Sequence, residues 1–402
     1  GSGLSSLSFI QSYLKKNKRI NVISFNSLKK NLKDPVNKHV YKILPPQMIG
    51  HENKVNDYFF LNKILVNKNC KFFGSLEFGG LSNYWGLQID KNIKKDISHL
   101  KKNTQKKILK SFEEIFIENN LLGKIDNKKK NLYEKNEYID EKLLSNKNNL
   151  TFEEPILAYS KKAKKIIKLD KINEKNDKFS PVNLLKKIDK KKIIFHNYFV
   201  EKIEKHKSGI LLKCSDGKKN KIFLTKKLVL GCGTLITTKL IMDYLNIKNE
   251  VRINHHPRLF SLYISKRKWR GNMKFQPSHF HVKLKKKPNL FTADFRPGNK
   301  MIVDAIIKFK KILKPFKFLI NFFREHLIFS NIFLEPKYGN LFIKKRDNSY
   351  EIFSKKKDIR KIFRLTSNYV YQFLVKAKKI FPIFHNYFPG FGSDFHYFGT
   401  IP

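Results

Sequence analysis

The sequence predicts an α/β fold, and three observations carry that prediction. A glycine turn, Gly1-Ser2-Gly3, opens an apolar run with helical spacing that passes into a β-branched segment. Farther on, a short apolar run at 227–231 enters Gly231-Cys232-Gly233 and a second helix-like stretch. Between the two, short alternating segments separated by an Asp-Gly pair read as antiparallel strands.

The elements follow in order. Leu4, Leu7, Ile10 and Leu14 recur every three or four residues, which predicts a helix with one apolar stripe. It ends at Lys15-Lys16-Asn17-Lys18, cations that suit the negative end of a helix dipole. Residues 19–25, with Ile20, Val22 and Ile23, predict a strand. A strand before Gly1 would complete a βαβ unit. The chain also opens without Met, so it reads as the inner part of a longer protein. Residues 124–150 and 160–180 are rich in Lys and Asn and predict a polar surface insertion spanning about 124–180. Strands are expected at 193–195, 200–205, 210–214 and 222–224, with Asp216-Gly217 as a hairpin turn. A strand is expected at 227–231 and a helix at 237–244. Residues 251–350 mix strands with one long basic-apolar helical stretch, 302–329, broken at Pro315, and a further helix is expected over 357–380. The resulting division is a first domain over 1–250, an antiparallel-sheet domain over 251–380, and a return to the first domain over 381–402.

Composition narrows the function classes. The chain of 402 residues has 84 Lys and Arg against 33 Asp and Glu, a net charge of +51. Such a charge suits a nucleic-acid or anionic-membrane surface. Here, though, the cations are scattered, nearly all are Lys, and Asn, Ile and Phe are inflated alongside, the pattern of an AT-rich genome. Specific nucleic-acid binding is therefore not expected. Three cysteines, Cys70, Cys214 and Cys232, have no CxxC spacing, which argues against a disulfide framework or zinc site. No apolar run reaches the ~18 residues of a membrane span. Residues 306–319, basic and amphipathic, read either as a helix packed on the domain or as a peripheral contact with an anionic membrane. Localisation is unassigned from sequence, with the cytoplasm or a peripheral membrane position favoured.

Three motifs carry chemistry. Gly1, Gly3, Ser5 and Ser6 lie in a G-x-G-x-x-small turn, in which the glycines let backbone approach a pyrophosphate at a helix N-terminus. A glycine turn before any helix would look the same. The acidic residue usual at the end of the second strand is absent. Ser24 stands there, and Asn26 is the nearest residue that could substitute. The segment Gly79-Gly80-Leu81-Ser82-Asn83-Tyr84-Trp85 joins two glycines, polar side chains and two aromatic rings, and reads equally as a loop over a flat ring or as a glycine-rich loop with buried aromatics. His396, four residues before Thr400, reads as a base or as a turn histidine. His279 and His281 alternate as on one strand face, but no partner at ligand spacing accompanies them, and no metal is expected.

Taken together these residues resemble the glucose–methanol–choline family of FAD-dependent oxidoreductases, pyranose-oxidase-like members above all. The resemblance rests on Gly79, Gly80, Ser82 and Trp85 in the pattern Gly-Gly-x-Ser-x-x-Trp. It rests also on Val200 in an adenine-contacting strand, on the strand-to-helix return at Gly231 and Gly233, on His255-His256-Pro257, and on His396, Gly399 and Thr400 in the pattern His-x-x-Gly-Thr. It implies a discontinuous Rossmann-like FAD-binding domain beside an antiparallel-sheet substrate domain. It further implies oxidation of an alcohol group of a sugar or polyol, with His396 as base and an unidentified electron acceptor. In some members the residue before the Trp is a His bonded to the flavin; Tyr84 stands there, so the resemblance implies non-covalent FAD. The family's second active-site His or Asn lies farther toward the C-terminus. Two rivals stand against this expectation: a basic, non-enzymatic membrane- or nucleic-acid-binding protein, and a flavoprotein of other chemistry.

Overall fold

The computed structural model describes residues 2–15, 19–25, 37–41, 48, 50–84, 88–89, 97–118, 150–153, 156–158, 179–265, 280–284, 291–298, 300–309, 311–376 and 380–398. It is a mixed α/β protein with several sheets, among them antiparallel ones.

Helix α1 (Leu4–Leu14) buries Leu7, Ile10 and Leu14, the expected stripe, against Val22, Leu184, Ile188 and Ile193. Strand β1 (Ile20–Ile23) follows and pairs in parallel not with a sequence neighbour but with a strand 173 positions on, register Ile20↔Ile193 to Ile23↔His196. Helix α2 (Glu52–Leu61) leads into β2 (Ile64–Val66). Strands β3 (Gln88–Ile89), β4 (Leu150–Glu153) and β5 (Ile156–Leu157) flank helix α3 (Lys102–Glu118) in the chain. Strand β6 (Ile193–His196) is the parallel partner of β1.

Strands β7 (Phe199–His206), β8 (Gly209–Ser215) and β9 (Asn220–Thr225) form an antiparallel meander. Its second turn is closed where the Asp216 carboxylate accepts from the backbone N–H groups of Lys218 and Lys219, as the Asp-Gly pair predicts. Helix α4 (Thr234–Tyr244) covers this meander, packing Leu240 on Ile203, Leu212 and Cys214.

The remaining strands are β10 (Val251–Ile253), β11 (Arg258–Ser265), β12 (Phe280–Leu284), β13 (Phe291–Pro297), β14 (Leu327–Leu334), β15 (Leu341–Arg346), β16 (Ser349–Phe353) and β17 (Ile380–Tyr387). They build a four-stranded sheet, β10-β15-β16-β2, and a six-stranded sheet, β17-β11-β14-β13-β12-β4, whose ladders are antiparallel. The register of the larger sheet sorts its residues by the two-residue period of a strand. Leu259, Tyr263, Ala293, Phe295, Ile328 and Ile332 enter the main core, while Arg258, Phe260, Asp294, Asn331 and Phe333 belong to the opposite face.

Two expectations change. Residues 227–231 form no ladder with a described strand: Leu228 and Leu230 pack on the α4 cluster, whereas Val229 is exposed. The stretch 302–329 is not one helix. Helix α5 (Lys300–Phe309) gives way to a 3₁₀ segment holding Pro315, then to helix α6 (Lys317–Phe322), and residues 327–329 already belong to β14. Proline has no N–H for a helix ladder, and Leu327 and Ile328 are buried in the sheet. Backbone pairing also links distant parts of the chain: β2 joins β16, β4 joins β12, and β17 extends the large sheet to residue 387. Helix α7 (Arg360–Lys376) fills most of the expected 357–380 helix.

Candidate functional site

A cleft of about 310 Å³ opens where seven separated segments meet. Its lining includes Ser2 and Gly3, Ser24, Gly79, Gly80 and Ser82, Val200, and Gly231 and Gly233. Small-molecule sites commonly span ~300–1,000 Å³. The N-termini of two helices face it: Gly3 precedes α1, and Gly233, Thr234 and Leu235 begin α4. The free N–H groups and dipole ends of two helices thus bear on one cleft, a setting that favours an anion. No Lys or Arg is among the described lining residues, although the chain carries 84 of them. Glu77 is the carboxylate of the described lining.

The cleft is stitched together by small groups. The Gly79 N–H donates to Ser2 Oγ (3.0 Å) and the Leu4 N–H to Ser82 Oγ (3.1 Å), so the 79–82 loop caps α1. The Ser6 hydroxyl donates to the Gly231 carbonyl at 2.9 Å. A Cβ on Gly231 would lie 2.2 Å from Ser6 Oγ, so only glycine allows this close crossing of α1 by the 231 turn. Gly79 (φ 95°), Gly80 (φ 53°) and Gly233 (φ 76°) all adopt the left-handed region. Ser24 extends the β1–β6 pairing, its N–H donating to the His196 carbonyl at 3.0 Å.

Other expected residues take supporting places. Asn83 donates its amide to the Phe78 carbonyl at 2.7 Å and closes the loop. The Tyr84 hydroxyl donates to Glu77 at 2.5 Å, and burial followed by that carboxylate pushes its phenol up. Ser6 braces Gly231 without lining the cleft, and Ser5 is exposed on α1. Gly1, Asn26, Trp85, His279, Gly399 and Thr400 lie outside the described residues, and nothing is said of the His281 side chain beyond its place in β12. Among the described residues no group of three or more His, Cys, Asp or Glu side chains could hold a metal ion.

The strap at 390–398 closes one side of the cleft. Phe395 and Tyr397 line it, with Tyr397 stacked on Phe72 (centroids 3.9 Å) and Phe395 against Phe73 (4.7 Å). The backbone N–H of Phe73 donates to the Tyr397 hydroxyl, which in turn donates to the Gly392 carbonyl at 2.5 Å. Thr234 at the start of α4 donates to the Tyr397 carbonyl at 2.6 Å. His396, between the two lining residues, is not in the lining. Its ring turns to the other side of the strap, 5.3 Å from the Phe333 ring and 6.1 Å from His256. Phe395 holds φ at 67°, a left-handed conformation uncommon outside glycine, immediately before it.

Sequence reading named His255 and His256 but missed Asp394 and Arg258, which fix this strap with them. Buried Asp394 accepts from His255 Nδ1 (2.9 Å), from the His256 N–H (2.9 Å) and from the His396 N–H (3.3 Å). The Asn340 N–H donates to His255 Nε2 at 3.3 Å. His255 thus bridges the Asp394 carboxylate and the Asn340 backbone N–H. Burial pushes the Asp394 carboxyl up, but the bond from His255 and the neighbouring groups prevail and hold it below the usual range. Arg258, stacked on Phe260 (4.2 Å) and donating to the Ser393 carbonyl at 2.5 Å, is pulled down by burial to about 10 and remains a cation at neutral pH. The one signal available in sequence was an Asp two positions before His396 and a His-His pair before Pro257.

His396 is solvent-accessible but recessed among protein atoms. Burial lowers its pKa from the ordinary histidine value; Asp394 opposes this, and His256 and Arg258 reinforce it. Its ring nitrogens have no hydrogen-bond partner among the described residues. The site therefore holds a neutral, accessible imidazole at neutral pH.

Comparison of the chain with models of protein families finds no match. Comparison with curated proteins likewise finds none.

Proposed function

We propose that the protein is an FAD-dependent oxidoreductase that oxidises an alcohol group, on a sugar or polyol, to a carbonyl. One observation carries the reading: segments up to about 230 residues apart, each singled out for an FAD-type motif, line one cleft beneath two helix N-termini. The Rossmann-like character of the first domain belongs to this reading, supported by α1, the parallel pair β1–β6, and α4 returning to the same cleft.

The residues fit a dinucleotide in the ways that can be tested. A Cβ on Gly233 would meet nothing within 4 Å, so the main chain there lies open, while Gly231 and Gly3 let the segments around the cleft pack closely, against Ser6 and Ser82 respectively. With no lysine or arginine in the described lining, the diphosphate would be held by main-chain N–H groups and helix dipoles. The departure at Ser24 remains: it offers a hydroxyl where a ribose-binding carboxylate is usual.

Bound FAD would supply the hydride acceptor, non-covalently on the evidence of Tyr84. His396 accepts the substrate hydroxyl proton, because loss of that proton eases departure of hydride from the adjacent C–H bond. Its lowered pKa keeps the acceptor form available at neutral pH. In this structure the His396 ring faces Phe333 and His256, across the strap from the cleft that Phe395 and Tyr397 line, so its role as base requires the ring to turn toward the cleft. Asp394, His255 and Arg258 position the strap. The electron acceptor is left unassigned.

The first test is the absorbance spectrum of the purified protein before and after acid precipitation. A flavin spectrum that moves to the supernatant is expected. Flavin in the pellet would overturn the inference from Tyr84, and a colourless protein that takes up no FAD would overturn the family reading.

A further inference from the structure

Strands β13 and β14 are antiparallel neighbours, a pair that can be joined by as few as ~2–5 residues. Here residues 298–326 are spent on the connection. Its inner side has an obvious role: Val303, Ile306, Ile307 and Ile320 pack on Leu262 and Leu327, and Lys317 pairs with Asp304 at 2.9 Å, tying α6 to α5. Its outer side does not. Ile312 is 80% exposed, Phe318 83% and Phe322 71%, with Phe316, Leu319 and Phe323 also exposed beside them. Elsewhere, exposed apolar side chains of the described residues come singly or in groups of at most three within a segment, as with Leu365, Tyr369 and Tyr371, which is normal for a protein surface. A cluster of this size concentrated in one short segment is not.

We infer that the 311–323 segment is a docking surface for an anionic lipid bilayer. The argument is the combination of shape and charge. The apolar side chains project from a rigidly anchored base, so they are presented rather than collapsed. Lys314 is interspersed among them, Lys317 is already paired with Asp304, and residues 300–326 contain only Asp304 and Glu325 as acids against seven Lys and Arg. Aromatic and aliphatic groups beside this excess of positive charge match the acyl–headgroup boundary of an anionic leaflet, where the rings leave water and the ammonium groups meet phosphate. A protein partner of ordinary surface would leave that excess without counter-charge. No helix among the described residues is long and apolar enough to cross a membrane, so the contact is peripheral. The surface stands independently of the flavin reading.

The test is co-sedimentation of the full chain with vesicles of phosphatidylcholine alone or mixed with phosphatidylglycerol, at low salt and at ~0.5 M salt, where charges are screened within a few Å. A protein of this net charge adsorbs to anionic vesicles at low salt by charge alone, so the deciding comparison is the variant Phe318→Ser/Phe322→Ser. The expected result is that the wild type stays on mixed vesicles at high salt and the variant partitions roughly 10-fold or more weakly. Equal binding of the two proteins, or full release of both by salt, overturns the proposal in favour of charge-driven adsorption. A second measurement uses Phe318→Trp: its emission should shift to the blue on adding mixed vesicles. A shift already present in the free protein means that the patch is covered by the chain itself or by a second copy, and overturns the membrane occupant.

Discussion

The cleft formed by residues 2–3, 79–82 and 231–236 keeps its shape with glycines, hydroxyls and main-chain N–H groups, whereas the strap at 390–398 is fixed by a buried carboxylate, a buried histidine and a buried arginine. The first arrangement leaves donors free for a ligand and brings backbone close to it. The second uses its donors internally, so it holds a geometry and leaves a single unengaged imidazole, His396. On the function proposed above, the contrast separates two jobs: the cleft accepts a large anionic group and the strap carries the proton acceptor. The cleft is also the region least like the rest of this chain: no cation lines its described part, in a protein of net charge +51.

The sharpest way to break this division is His396→Ala. If the strap serves chemistry and the cleft serves binding, reduction of bound flavin by an alcohol should fall roughly 10²–10⁴-fold while flavin content is unchanged. Loss of flavin with the activity would merge the two regions into one binding site. The wild-type pH profile sharpens the same point. The neutral imidazole is the active form and exists above its pKa; because burial lowers that pKa, kcat/KM should rise with pH through an acid limb below the ordinary ~6.5. A limb above that value would exclude His396 as the titrating group.

Asp394→Ala comes next. It strips acceptors from His255 Nδ1–H and from two backbone N–H groups, and it removes the carboxylate that acts most strongly on buried Arg258. A loss of about 3 kcal/mol in stability is expected from removing one partner of such a network, measured as a shift in the urea midpoint at unchanged m-value. A loss within ~0.5 kcal/mol would mean that the strap is held by the aromatic stacks on Phe72 and Phe73 instead.

The same contrast explains what the sequence made legible. The cleft is spelled in local patterns. A glycine turn, a helix stripe and a Gly-Gly loop each fit within a dozen residues, and glycine identity itself encodes the left-handed backbone at Gly79, Gly80 and Gly233. The α/β class and most strands were legible for the same reason. The strap network was not, because Asp394 meets His255 and His256 across 139 and 138 positions of chain, and no local periodicity encodes such a pairing. The direction of His396 was hidden too, since it depends on the positive φ of Phe395, a residue with no intrinsic preference for it. The strand expected at 227–231 shows the opposite failure. Its apolar pattern is real and is used in packing, yet pattern alone does not supply a ladder partner.

The smallest effects separate two kinds of glycine within the cleft. Gly231 is needed because of a neighbour: an added Cβ would lie 2.2 Å from Ser6 Oγ and 3.1 Å from Ser6 Cβ. Gly233 is needed because of its own backbone, φ 76° and ψ 165°, with nothing within 4 Å of an added Cβ. Both Gly→Ala changes should cost about 1–3 kcal/mol, the first by overpacking and the second by backbone strain. Their responses to a second change should differ. Ser6→Gly removes the obstructing side chain, so it should recover part of the loss in Gly231→Ala, a coupling a double-mutant cycle reads directly. It should recover none of the loss in Gly233→Ala, where there is no clash to relieve. Rescue of both would show that Ser6 acts on the whole turn through its bond to the Gly231 carbonyl. Rescue of neither would show that α1 can shift to accommodate the methyl group, and the close crossing of α1 and the 231 turn would then not be what fixes the cleft.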